Sequence, residues 1–103
     1  MFEDYTLLDE DKVFGFLGSN PKYKILLEKL VPIIRVYFSS PEIYLEVLEV
    51  FEEPEPPKLR VTIYEDLDSK VFLEKLKKVT FKFWEILEHE KIPLVECRLM
   101  ISF

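Results

Sequence analysis

The sequence predicts an α+β fold: a two-layer sandwich with a three-stranded, mainly antiparallel sheet, helices on one face, and the order α-β-β-α-β. Three observations predict it. Two stretches carry apolar residues at three- and four-residue steps, the period of a helix. Three stretches alternate apolar and polar, the period of a strand. Two of the alternating stretches flank one proline-rich loop, which reads as a hairpin. At 103 residues and 12.4 kDa the chain suits one domain. Residues 1–19 read as a variable N-terminal segment and residues 20–103 as the α-β-β-α-β core.

The elements follow in order. Residues 9–14 have the acids of a first helical turn, Asp9, Glu10 and Asp11, and Gly15 and Gly18 limit any helix there. Phe2, Leu7, Leu8, Phe14, Phe16 and Leu17 are too apolar for a free tail and are expected to pack down. Asn20-Pro21 is a helix start, with Asn as cap and Pro in the first turn. Ile25, Leu26, Leu30, Ile33, Ile34, Tyr37 and Phe38 then form one stripe. Pro32 is expected to kink or break this helix near Val31, because it removes a backbone bond to Glu28.

Residues 42–51 alternate, with Ile43, Leu45 and Val47 on one side and Tyr44 and Glu46 on the other. The phase blurs after Val47, as a bulge or partial burial of the second face would cause. Glu52, Glu53, Pro54, Glu55, Pro56 and Pro57 make the turn, since prolines cannot serve a ladder. Leu59, Val61 and Ile63 then alternate with Arg60, Thr62 and Tyr64. Asp68 is the cap of a long helix to about Glu90, whose stripe is Phe72, Leu76, Val79, Phe83 and Leu87, flanked by Leu73, Ile86 and Trp84. Ile92-Pro93 stops it. Val95, Cys97, Leu99, Ile101 and Phe103 alternate with Glu96, Arg98, Met100 and Ser102 as the last strand. The pattern leaves strand order open. The preference of small sheets for antiparallel pairs favours the last strand beside residues 42–51.

Composition narrows the function classes. Lys and Arg number 14 against 20 Asp and Glu, a net charge of −6. A nucleic-acid partner is disfavoured, because binding would add repulsion instead of releasing counterions. One cysteine excludes an internal disulfide and a cysteine-rich zinc site. No apolar run reaches the roughly 20 residues of a membrane span, and the acidic start is not a signal peptide. A cytoplasmic setting is expected. Gln is absent and Asn occurs once, with Glu and Lys abundant, the pattern reported for hyperthermophile proteins.

Candidate chemistry is sparse. His89 lies four residues after Glu85, a spacing that can share a metal, but no third ligand is indicated. A histidine in a last helical turn also simply suits the helix dipole. Cys97 falls on the core side of its strand, where a thiol behaves as a small hydrophobe. Lys75, Lys78 and Lys82 share a helix face, with Lys77 adjacent, and read as a solvated surface. Glu52, Glu53 and Glu55 read as a charged hairpin tip. Two glycines cannot build a phosphate loop. No catalytic residue, cofactor or metal site emerges.

Residues 25–103 also carry a run of local features. A helix ends in paired aromatics, Tyr37-Phe38. A strand and an acidic, proline-containing turn follow. The next strand runs into Ile63-Tyr64-Glu65-Asp66-Leu67. A helix then carries Leu73-Glu74-Lys75-Leu76 and Phe83-Trp84, before a closing strand. In this the chain resembles a loosely defined group of small uncharacterised prokaryotic proteins with no known activity. That group often has Phe-Asp-Glu-Trp-Trp in the second helix, where this chain has Phe81-Lys82-Phe83-Trp84-Glu85. The resemblance implies the fold and no activity.

What remains is the sheet face opposite the helices, with Tyr44, Arg60, Tyr64, Arg98 and Met100 expected on it. Tyrosine, arginine and methionine are the types enriched at interfaces. The alternative is a wet face held by cross-strand pairs. The expectation is a small intracellular interaction module, a homodimer through this face or bound to another protein. A small-ligand-binding regulatory domain is the alternative.

Overall fold

The computed structural model describes residues 3–49, 57–92 and 99–102. Its elements are β1 (Thr6–Leu7), α1 (Glu10–Ser19), α2 (Lys22–Tyr37), β2 (Glu42–Leu48), β3 (Lys58–Tyr64), α3 (Ser69–His89) and β4 (Leu99–Ser102). The α+β class holds. The sheet, however, is four-stranded and mixed, in the order β1-β2-β3-β4. β2 and β3 form the expected hairpin, with Tyr44 opposite Thr62 and Glu46 opposite Arg60. The outer strands are both parallel to their neighbours: β1 to β2 and β4 to β3.

Two expectations are corrected here. The fourth strand comes from residues 1–19, where two residues are too few to show an alternation. Thr6 pairs with Tyr44, and the Leu8 N–H donates to the Leu45 carbonyl at 2.9 Å. The last strand lies beside β3, not beside residues 42–51, because β1 already occupies that edge of β2. Parallel pairing with β3 then needs the long helical crossover that α3 supplies.

The N-terminal segment is anchored. The Tyr5 hydroxyl donates to the Leu27 carbonyl at 2.7 Å inside the core, and burial pushes its phenol well above the usual range. Arg35 pairs with Asp4 on the surface. α1 runs through both glycines and buries Val13, Phe16 and Leu17. Asn20 does not cap α2 as expected. Its backbone N–H and side-chain amide both donate to the Phe16 carbonyl, at 2.9 and 3.0 Å, closing the end of α1. Pro21 starts α2 with a helical φ of −64°.

Pro32 does not break α2, which continues from Lys22 to Tyr37. Pro32 and Glu28 are both exposed, so water can reach the carbonyl that the proline leaves without a donor. Asp68 caps α3 as expected, accepting from the Lys70 N–H at 2.9 Å. β2 ends at Leu48; residues 1–2, with the expected packing of Phe2, and residues 50–56, 93–98 and 103 lie outside the described residues. The readings of Cys97, of Glu52, Glu53 and Glu55, and of the strand before Leu99 fall there.

One core joins all three helices to one sheet face. Ile43, Leu45, Leu59, Val61, Ile63 and Leu99 point into it from the strands. Leu26, Leu30, Ile34, Phe72, Val79, Phe83 and Leu87 meet them from α2 and α3. No charged side chain is buried among the described residues. No described helix is long and apolar enough to cross a membrane.

Candidate interaction surfaces

The open sheet face is built by register. Arg60 sits between Glu46 on β2 and Met100 on β4. Thr62 sits between Tyr44 and Ser102, and Tyr64 is opposite Glu42. Side chains alternate across a strand, so Tyr44, Arg60, Tyr64 and Met100 share this face, as expected. Arg98 lies outside the described residues.

The polar groups of the face largely satisfy one another. Arg60 Nε donates to Glu46 Oε1 at 2.6 Å, and its guanidinium NH2 pairs with the same oxygen. The Tyr44 hydroxyl donates to Glu42 Oε2 at 2.7 Å. That bond and the carboxylate's charge hold the Tyr44 phenol above its ordinary range. Tyr44 and Arg60 are half-buried, whereas Tyr64 and Met100 stand out at 56% and 43% exposure. Met100 lies beside Arg60, four residues along β3 from Tyr64, so the two protrusions are roughly 13 Å apart.

A second surface was not expected. Leu73, Phe81 and Trp84 on α3 are 49%, 52% and 42% exposed. Leu76 is half-buried beside them, and the Phe81 and Trp84 rings meet edge to face, 5.3 Å between centroids. These residues, with Lys70, Glu74, Lys77 and Thr80, line a groove of about 550 Å³. The spacing predicts Leu73 and Trp84 as flanks of the core stripe. The structure leaves them outside because α2 packs on the opposite flank. There Lys75 lies over the Phe38 ring and Lys78 over the Tyr37 ring, at 5.8 and 6.0 Å. Those two lysines thus drape aromatics at the end of α2 as well as meeting solvent.

The sequence did hold a signal for this surface. At 100° per residue, the apolar arc of α3 runs from Ile86 through Leu76 and Trp84 to Phe81. It spans roughly 220°, about twice the stripe one buried face requires. The excess is the exposed flank.

A smaller crevice of about 250 Å³ lies where β3 leads into α3, between Ile63, Tyr64, Leu67, Phe72 and Leu73. Glu65 borders it. Its Oε1 accepts from Ser39 Oγ at 3.1 Å and from the Ser40 N–H at 2.6 Å, tying this turn to the end of α2. Its Oε2 is buried with no hydrogen-bond partner.

Metal chemistry gains no support at His89. It is exposed in the last turn of α3, and Glu85 instead meets Lys82 at 3.4 Å. Among the described residues, no three His, Cys, Asp or Glu side chains converge to hold a metal ion.

No family model matches this chain, and no curated protein or solved structure is significantly similar to it.

Proposed function

We propose that this chain is a small interaction module, working as a homodimer, that engages protein through the open sheet face. The observation that carries this reading is the register that brings Tyr44, Arg60, Tyr64 and Met100 onto one uncovered face. Arg60 is already fixed by Glu46, so presenting it costs little further ordering. Tyr64 and Met100 supply exposed contact area on either side of it.

Two measurements test the reading. Light scattering coupled to size exclusion should give about twice 12.4 kDa; a monomer at every concentration overturns the homodimer. A photo-crosslinking residue placed at Tyr64 or Met100 should capture one discrete protein, and the same residue at Val36 on α2 should not. Capture from neither sheet position overturns the face assignment.

A second reading is a small-ligand regulatory domain, favoured by the crevice beside Glu65. An apolar wall next to a carboxylate oxygen without a partner suits a small primary amine with an apolar body. A panel of such amines should raise the melting temperature of the native chain and not that of Glu65→Gln. No shift across the panel removes this reading.

A further inference from the structure

We infer that two copies of this chain join through the outer flank of α3, packed antiparallel about a two-fold axis near Lys78 and Val79. The inference rests on the homodimeric reading above and moves the seam away from the sheet face, which stays open for another protein.

The flank has the symmetry such a seam requires. A two-fold interface uses the same patch on both copies, so the patch must complement itself. In two antiparallel helices, a residue before the axis faces the residue equally far beyond it when both lie on the same side of the helix. Leu73 lies as far before the point between Lys78 and Val79 as Trp84 lies beyond it. Leu76 lies as far before that point as Phe81 lies beyond it. Leu73 and Trp84 lie about 20° apart around α3, so each copy sets Leu73 on the other's Trp84, whereas Leu76 and Phe81, about 140° apart, close the two edges of the seam, each beside its own counterpart on the other copy. All four are on the groove, and three are exposed large apolar residues. Helix axes 8–10 Å apart allow that contact. Lys77 then faces Thr80, its aliphatic stem lying on the seam and its ammonium reaching solvent.

Charge chooses the same arrangement. Lys70 and Glu88 are about five helical turns apart, so they lie on one side of α3 at opposite ends of the flank. Both are exposed, and neither has an ion pair among the described residues. Antiparallel packing sets Lys70 of each copy within one residue's rise, about 1.5 Å, of the height of the other's Glu88, within reach of both side chains. Parallel packing would set lysine against lysine and glutamate against glutamate. An unrelated helix would need neither the matched apolar spacing nor the opposed ends, which is why the occupant is a second copy.

The test is light scattering with size exclusion over a dilution series, alongside circular dichroism to verify folding. Phe81→Glu should weaken the dimer at least about a hundredfold, because a two-fold seam carries each substitution twice. Tyr64→Glu should leave it unchanged. Lys70→Glu should raise the dimer Kd about tenfold, from two rim pairs turned to repulsion. Adding Glu88→Lys to that variant should restore it. A dimer that survives Phe81→Glu, or that the charge exchange fails to restore, overturns the inference. If Tyr64→Glu dissolves the dimer instead, the seam is the sheet face and the homodimeric reading still stands. A wild-type chain that is monomeric throughout removes both.

Discussion

The open sheet face and the outer flank of α3 both expose aromatic side chains, but they differ in what surrounds them. On the sheet, Glu46 holds Arg60 and Glu42 accepts from Tyr44, while Tyr64 and Met100 protrude separately. On α3, Leu73, Leu76, Phe81 and Trp84 form one continuous strip, with Lys70 and Glu88 at its two ends. A face whose polar groups pair internally is comfortable in water and can await a partner. A continuous apolar strip gains by being covered, since contact removes roughly 25 cal/mol for each Å² taken from water. The helix flank therefore gains more than the sheet face from being covered.

The largest expected effect separates the two sides of α3. Phe83→Ala, on the buried side, should cost about 3–5 kcal/mol in urea unfolding. Phe81→Ala, two residues away and half exposed, should change the stability of the isolated monomer by less than about 0.5 kcal/mol. An equal cost for both would mean that the outer flank is core, and the comparison would break.

On the sheet face, Arg60→Ala should cost about 0.5–1 kcal/mol. Its side chain and that of Glu46 keep 37% and 22% exposure, so solvent screening limits the pair. A double-mutant cycle with Glu46→Ala should assign most of that cost to their coupling. Additive losses would show that the face is not internally paired.

Gly15→Ala and Gly18→Ala in α1 touch neither surface and calibrate the scale. Both sites have open space for a Cβ and ordinary helical backbone, so each should stabilise by about 0.5–1 kcal/mol. Thermal unfolding should show a rise of a few degrees for each, since about 1 kcal/mol moves a domain of this size by roughly 4–8 °C.

The smallest effect is a titration. Glu42 favours the neutral Tyr44 phenol both by accepting its hydrogen bond and by its charge. Glu42→Gln removes the charge, so the phenol should ionise at lower pH, nearer the ordinary value of 10.0. Ultraviolet titration of the wild type and variant reads the difference. An unmoved Tyr44 would show that the charge of Glu42 does not act on the phenol in solution.

Much of this architecture was legible in the sequence because it is local. Alternation placed Tyr44 and Arg60 on one face and Leu45 and Val61 on the other. The three-four spacing and Asp68 placed α3 from its first turn. β1 was not legible, since Thr6 and Leu7 carry no period and become a strand only by pairing with Tyr44 and Leu45. Asn20 was misread because one side chain stands between two helices, and proximity to the Phe16 carbonyl decided which it serves. Leu73 and Trp84 were misread because apolar spacing shows which side of a helix avoids water, not how much of it a neighbour covers.

By itself, then, the sequence determined the types of α2, α3, β2, β3 and β4, the inward side of those strands, the start of α3 and the shared face of Tyr44, Arg60, Tyr64 and Met100. Each follows from side-chain period or capping chemistry within one stretch of chain. Only the tertiary structure decided that β1 takes the edge of β2, that β4 lies parallel to β3, and that one flank of α3 meets α2 while the other is left bare. Adjacency depends on which surfaces compete for the same edge or flank, and no single stretch of sequence holds both competitors.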